Sequence, residues 1–313
     1  MIHTTFEHYE VSLQVFTDAL TEELSSYEIP KGWITTFCAV CQELFDSPLN
    51  KSGGFVIIDG QPLCVFDDYF SDDSCVLTPA ICNLGVYDHQ TLTDNYSNIQ
   101  SKFNLERIDT VFPVIDLSAW KQQEITEKVI RDFMKSEVKN NFIPHHFGAK
   151  SQKVKWRVVF GETSSEREYL IKLFAHDTAA LVEQQMQSIL TKTDNGIERF
   201  FAERMPEFWF APHDFMSPSM GAVVAYDEHK VVCAMQLQKY GSILTCGSIA
   251  FDHTDVYKPY SLASMAHLES IIYAMCDPLI NRIDLGVNFS PLGDYKKVFN
   301  YTNVGCPTYL FKR

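Results

Sequence analysis

Residues 260–300 read YSLASMAHLESIIYAMCDPLINRIDLGVNFSPLGDYKKVFN, and their reading decides the fold. Ser261 is of the type that caps helix N-termini, and Leu262, Met265, Leu268, Ile271, Ile272 and Met275 follow at helical spacing. Asp277-Pro278 ends that helix, because proline lacks an amide hydrogen and restricts the residue before it. Arg282–Val287 then reads as a short β-branched strand with a glycine near its end, followed by a polar loop and Asp294–Phe299. A helix that starts beside such a strand end offers unpaired backbone amides to an anion.

Upstream, Gly221–Tyr226, Val231–Lys239 and Ile243–Phe251 are apolar runs separated by Asp227–Lys230 and Tyr240-Gly-Ser242, which predicts a three-stranded antiparallel meander. Before it come a strand at Val154–Phe160, a long helical pattern over Ser164–Leu190 and a second helix through Ile197–Arg204. The first half gives helices over 8–27 and 33–46, a breaker at Asn50–Gly54, and a hairpin of Phe55–Ile58 and Leu63–Phe66 around Asp59-Gly60. A third strand over Cys75–Cys82, a polar helix over 89–103, a strand at Arg107–Ile115 and a helix from Ser118 to about Lys135 complete it. Both halves share one order of elements, with negligible residue identity, which suggests a duplicated fold.

At 313 residues the chain is long for one domain. The polar stretch 137–152 is the expected linker, dividing 1–150 from 151–313. The net charge of −14 disfavours general nucleic-acid affinity; Lys150–Arg157 is the densest basic cluster and reads as a solvated strand edge. The N-terminus has no basic, apolar signal pattern, and no apolar run approaches the ~20 residues that cross a bilayer. Nine scattered cysteines read as reduced thiols, so a cytoplasmic protein without membrane insertion is expected. Cys38 and Cys41 share one helix face as small core residues rather than metal ligands, His145-His146 reads as a surface pair, and no metal site is expected.

The run Val223–Leu237, the strand ending Ser248–Asp252, the Ser261 helix, Ile283-Asp-Leu-Gly286 and Asp294-Tyr-Lys-Lys-Val-Phe299 together resemble the GNAT superfamily of N-acyltransferases. More narrowly they resemble its Fem-like branch, in which two GNAT domains lie in tandem and the second ends in Asp-Leu-Gly … Tyr-Lys-x-x-Phe. The resemblance covers about residues 205–313 well; before residue 150 it rests on element order alone. It implies an α/β fold of two GNAT-like domains, each a mostly antiparallel central sheet flanked by helices, the first degenerate and the second carrying the donor site.

It also implies a chemistry. An acetyl-CoA or other acyl-CoA donor lies along Thr245–Phe251, past Ser248, with its pyrophosphate at the amides around Tyr260, Ser261, Leu262 and Ala263. Tyr295 stands at the position of the superfamily's tyrosine acid, and Lys296 matches the Fem-like lysine that faces a donor phosphate. The glycine-rich phosphate loop of the superfamily is replaced by Val256-Tyr-Lys-Pro-Tyr-Ser261, which leaves the donor open between acyl-CoA and aminoacyl-tRNA. For the base, His253 has a suitable unperturbed pKa, and Asp284 is placed to orient the acceptor amine. A cysteine nucleophile at Cys246 or Cys276 is the weaker alternative, since both fall in apolar patterns.

Three functions follow. The first is an N-acyltransferase moving an acyl group from acyl-CoA to a small-molecule amine or amino acid by direct attack. The second is an aminoacyl-tRNA-dependent Fem-like transferase, in which tRNA is the one nucleic-acid partner. The third is a non-catalytic GNAT-like binding module. The acceptor pocket is expected to use Trp209 and Phe215.

Overall fold

In the computed structural model, residues 4–27, 29, 31–46, 52–67, 74–83, 89–108, 110–121, 124–134, 153–192, 199, 202–203, 205–206, 209, 218–286, 294–306 and 308–312 are described. The fold is mixed α/β with two sheets, as the sequence reading expects.

The chain opens with α1 (Leu13–Glu23), capped by Ser12, whose hydroxyl accepts from the Val15 amide, and α2 (Lys31–Asp46). β1 (Ser52–Ile58) and β2 (Gln61–Asp67) form the expected hairpin. Asp59 and Gly60, at φ 51° and 82°, make the two-residue turn that matches strand twist. The supposed breaker at Gly53-Gly54 lies inside β1. A Cβ at Gly53 would meet the Phe45 ring at 2.4 Å and the Val65 carbonyl at 2.6 Å, so glycine serves packing there rather than a break. β3 (Ser74–Pro79), α3 (His89–Phe103) and β4 (Glu106–Arg107) follow.

The single strand expected at Arg107–Ile115 is two: β4, and β5 (Thr110–Asp116). The helix expected from Ser118 is also divided. Asp116 binds the Ser118 amide, a short 3-10 turn covers Ser118–Trp120, and Thr126 caps the true helix α4 (Glu127–Phe133). β6 (Val154–Phe160) is as expected.

The long helical pattern of Ser164–Leu190 is interrupted. α5 (Ser164–Lys172) starts with a Thr163–Glu166 capping box, a π-helical turn occupies Leu173–Asp177, and α6 (Ala179–Leu190) resumes. The extra residue of such a turn shifts the register without breaking the apolar pattern, which is why periodicity alone misses it. Then come β7 (Met220–Asp227), β8 (Lys230–Tyr240), β9 (Ile243–Phe251), α7 (Leu262–Cys276), β10 (Arg282–Asp284), a 3-10 turn at Asp294–Val298, β11 (Thr302–Cys306) and β12 (Tyr309–Lys312). The expected linker 137–152, His145-His146, Phe215 and most of Ile197–Arg204 lie outside the described residues.

Packing divides the chain into two compact units: Met1–Val111 with Asp194–Phe200 and Val304–Arg313, and Phe112–Thr193 with Phe201–Asn303. This differs from the expected division into 1–150 and 151–313, because β5 pairs into the second sheet and the last strand into the first. The first sheet has the order β1-β2-β3-β12-β4, with β12 antiparallel to both neighbours. Its unit is cored by Phe16 on Phe55 (ring centroids 4.4 Å) and Phe45 on Phe55 (5.1 Å). Cys38, Cys41 and Cys64 are buried there, and burial pushes the Cys38 thiol up to about 11. Cys38 and Cys41 are core residues, as read.

The second sheet has the order β11-β5-β10-β9-β8-β7-β6. β6 to β9 are antiparallel, whereas β10 lies parallel to β9 and antiparallel to β5. α7 packs across β6–β10 and buries Leu262, Met265, Leu268, Ile271 and Met275 in the core of this unit. Lys121 donates to the carbonyls of Ala274 (2.8 Å), Asp277 (2.7 Å) and Ile280, closing the C-terminal end of α7.

Trp209 does not line a pocket. It is fully buried, edge-on to Phe174 with centroids 5.1 Å apart, and donates from Nε1 to the Thr178 hydroxyl at 2.7 Å. Thr178 in turn donates to the Leu173 carbonyl at 3.0 Å, which closes the π turn. Thr178→Val keeps the shape and removes both bonds, leaving a buried indole N–H unpaired. A loss of about 1–3 kcal/mol in denaturant unfolding is expected.

Candidate functional site

The site is built where β9 and β10 part. Their parallel pairing covers only Arg282↔Ile243, Ile283↔Leu244 and Asp284↔Thr245, yet β9 runs on to Phe251. Beyond Asp284 the chain stays with β5, the Leu285 amide donating to the Pro113 carbonyl at 3.0 Å. Among the described residues no strand pairs with the remainder of β9 on that side.

A bulge coincides with the parting. β8 and β9 pair at Leu237↔Cys246 and then at Met235↔Ile249, so Gly247 and Ser248 together oppose Gln236. Both bulge residues are exposed in the middle of a seven-stranded sheet. A bulge of this kind turns backbone groups out of the ladder, where a ligand can pair with them.

At the apex, Gly286 has φ 76°, and a Cβ there would meet the Cys246 carbonyl at 2.7 Å. The Asp284 carboxylate accepts from the Gly286 amide at 2.8 Å, and the Lys296 ammonium donates to the Gly286 carbonyl at 2.8 Å. Asp284 and Lys296 are 1% and 4% exposed, so both charges are held inside the protein. Burial pushes Lys296 down to about 8, with the Asp284 charge opposing.

His267 of α7 is buried beside Lys296 and donates from Nδ1 to the Ala263 carbonyl at 2.9 Å. Burial, then the charge of Lys296, takes its imidazole down to about 3, so it is neutral. Burial pushes the Cys246 thiol up to about 12. That thiol stays protonated, which removes the cysteine-nucleophile alternative at this position.

The start of α7 forms the other end. Ser261 precedes the helix, but its side chain makes no cap hydrogen bond. Its backbone is left-handed, at φ 49° and ψ 48°, rather than the extended form in which a capping hydroxyl reaches the first-turn amides. The expected serine cap is therefore corrected. Leu262 and Ala263 are buried in the first turn, which the Ser261 side chain leaves uncapped.

The tyrosines that replace the glycine-rich loop stand beside this end. Tyr257 and Tyr260 have ring centroids 6.3 Å apart, with the Lys153 ammonium 5.8 and 5.7 Å from them. Lys230 lies 5.7 Å from the Tyr257 ring and pairs with Asp252 at 2.7 Å. The Cys233 thiol contacts the Leu262 carbonyl at 4.0 Å, and Cys233 faces Phe251 across the sheet, so the helix begins level with the end of β9.

The structure brings Ser248, Asp284 and Lys296 to the parting, and Tyr260 to Ala263 to the helix start. It leaves His253 elsewhere. Five residues beyond Ser248, or about 16 Å along a strand, its ring stacks on Phe251 at 4.2 Å. Its Nε2 pairs with the Gln185 amide oxygen at 2.7 Å, and its backbone N–H donates to Gln184 at 3.2 Å. Burial and the charge of Lys192 lower its pKa, with Asp252 opposing. Lys296, expected to face a donor phosphate, is instead bound to the Gly286 carbonyl inside the apex. Tyr295 lies in the 3-10 turn Asp294–Val298, and its side chain is outside the described residues.

Sequence reasoning missed His267, which looks like one more helix residue, and Gln236 and Gln238. The two glutamines are buried in β8, and their signal was a polar pair at strand alternation within an apolar run. Among the described residues no group of three or more metal-ligand side chains is placed to hold an ion, and no helix is long and apolar enough to cross a membrane.

No protein-family model and no curated protein matches the chain. Among solved structures it is similar to a conserved protein of unknown function from Bacteroides thetaiotaomicron, with 10% identity and a TM-score of 0.47, covering 96% of this chain and 97% of that one. It is also similar to L-PGS from Bacillus licheniformis, with 10% identity and a TM-score of 0.46 over 97% and 93% of the two chains. A GCN5-related N-acetyltransferase from Kribbella flavida follows, with 10% identity and a TM-score of 0.34 over 88% and 95%.

Proposed function

We propose that the chain is an acyltransferase that moves an acyl group from a thioester, acyl-CoA, to the amine of a small molecule by direct attack. The observation that carries this reading is the parting of β9 and β10 at a bulge, with a buried carboxylate and a buried ammonium at its apex. Exposed backbone at Gly247 and Ser248 suits a linear donor arm and its thioester carbonyl. About eight helical residues, or 12 Å, separate Ser270, which bonds the Cys246 thiol, from the first turn of α7. The donor's pyrophosphate would sit at the amides of Leu262 and Ala263, beside Tyr260 and Ser261.

In this reading Asp284 holds the acceptor as its ammonium and takes one proton from it, which frees the nitrogen lone pair. Nitrogen then bonds the thioester carbonyl carbon, the C–S bond breaks, Tyr295 protonates the leaving thiolate, and the second proton lost by nitrogen restores the tyrosine. Lys296 offsets negative charge at the apex, where low dielectric strengthens its effect. His253 takes no part at that distance. Aminoacyl-tRNA is the second reading for the donor, favoured by the Tyr257–Tyr260 wall where a close backbone approach to pyrophosphate would need glycine.

Calorimetry with acetyl-CoA and a long-chain acyl-CoA tests the first reading, with micromolar binding expected. Binding of charged tRNA but of no thioester would move the proposal to the second. Binding of neither overturns acyl transfer and leaves a binding module.

A further inference from the structure

The face of the second sheet away from α7 holds a polar row of which the acyl-transfer reading uses only Asp284. Residues paired across a sheet project to the same side. Leu237 with Cys246, and Lys239 with Leu244 and Ile283, therefore share the α7 side, and Leu237, Cys246, Leu244 and Ile283 belong to its core. By the same register Gln238, Thr245 and Asp284 project together from β8, β9 and β10 to the other side, with Gln236 in the next row.

Gln236, Gln238 and Asp284 are 3%, 5% and 1% exposed. The side-chain nitrogen of Gln238 is buried without a hydrogen-bond partner. Buried amides are almost always paired, so this one needs an explanation that apolar packing does not give. Gln236 lies against Gly247 of the exposed bulge: a Cβ there would sit 3.1 Å from the Cβ of Gln236.

We infer that this row recognises the acceptor, and that the acceptor is an amine carrying an acyl oxygen a few bonds from its nitrogen, as in an amino acid or an amino-acid amide. Asp284 supplies the negative partner for the ammonium. Gln238 supplies a neutral N–H donor two strands away, a backbone separation of roughly 10 Å that the two side chains narrow from each end. A plain alkylamine satisfies the carboxylate and leaves the glutamine unpaired. The inference rests on the acyl-transfer reading for the ammonium's fate, but not for the binding itself.

The test therefore has two readouts. L-alanine, L-alaninamide and isopropylamine are titrated into protein carrying 15N-labelled glutamine, following the Gln238 side-chain amide; the same three are then assayed as acceptors with acetyl-CoA. Wild type is expected to shift that resonance with alanine or alaninamide and not with isopropylamine. It should favour the responding compound by about tenfold or more in kcat/KM, roughly one hydrogen bond. Gln238→Leu is expected to remove that preference by raising the acceptor KM while donor affinity holds. Gln238→Met serves if the leucine variant does not fold.

Between alanine and alaninamide, the one that responds identifies a carboxylate or a neutral carbonyl. A resonance shift without turnover keeps this site and overturns acyl transfer. Turnover with an acceptor preference unmoved by Gln238→Leu overturns this inference and keeps acyl transfer. No shift and no turnover overturns both.

Discussion

Lys296→Met is expected to stabilise the folded chain at neutral pH while slowing the proposed acyl transfer. The ammonium of Lys296 is buried at the apex and its pKa is pushed from the ordinary lysine value of 10.5 down to about 8. The unfolded chain therefore binds the proton more tightly than the folded one. Between pH 8 and 10.5 the unfolded state carries more protons, so wild-type stability rises with pH across that window and is lower by a fixed amount below it. The shift corresponds to on the order of 3 kcal/mol. Methionine removes the penalty, at the cost of the bond to the Gly286 carbonyl. Urea unfolding at pH 7 should thus give a gain of about 1–3 kcal/mol that shrinks toward zero above pH 10.5. If the ammonium offsets developing charge, transfer should fall by about 10²–10³ in kcat. A variant both less stable and fully active at pH 7 would contradict this account of the apex.

In the acyl-transfer reading, position gives the reason for keeping a buried cation. The ammonium is held where β9 and β10 part, and its partners are backbone at Gly286 and the nearby charge of Asp284. Groups with strongly shifted pKa values are enriched at functional sites, which supports placing Lys296 in the proposed reaction.

Much of this frame was legible along the chain because it is local. Asp59-Gly60, the two short turns of the meander and the Asp277-Pro278 stop each act within a few residues, and each appears where the sequence reading placed it. The departures have a different origin. β12 enters between β3 and β4, and β5 joins β10, by pairings more than 150 residues apart in sequence that no local pattern encodes.

The helix expected from Ser118 failed because two capping residues competed and Thr126 prevailed. At the site, Asp284 and Lys296 are named by the family resemblance and lie where β9 and β10 part, whereas His253, named for its side chain, lies along the strand from the apex. Gln236 and Gln238 became visible only once register showed which face they share with Asp284.

The second large effect concerns His267, and it tests the same apex through a second base whose cation has the same sign as Lys296. Its imidazole is buried, and desolvation with the Lys296 charge lowers its pKa from 6.5 to about 3, while hydrogen bonding to backbone at Ala263 and Leu285 pulls the other way. Folded His267 is neutral where the unfolded chain is already protonated, so the stability it contributes is complete above pH 6.5 and is lost as pH falls toward 3. The loss over that span is about 4–5 kcal/mol, on top of what the carboxylates contribute. His267→Asn, which keeps a donor near the Ala263 carbonyl, is expected to flatten this part of the acid profile in denaturant unfolding at half-unit steps. Lys296→Met should flatten it partly. Without the neighbouring charge the imidazolium is less disfavoured, the folded pKa rises toward 6.5, and less stability depends on keeping the ring neutral. The two changes should therefore be non-additive between pH 3 and 6.5 and additive above it. Additivity across the whole range would mean that the two groups do not sense each other, and the apex would not be one electrostatic unit.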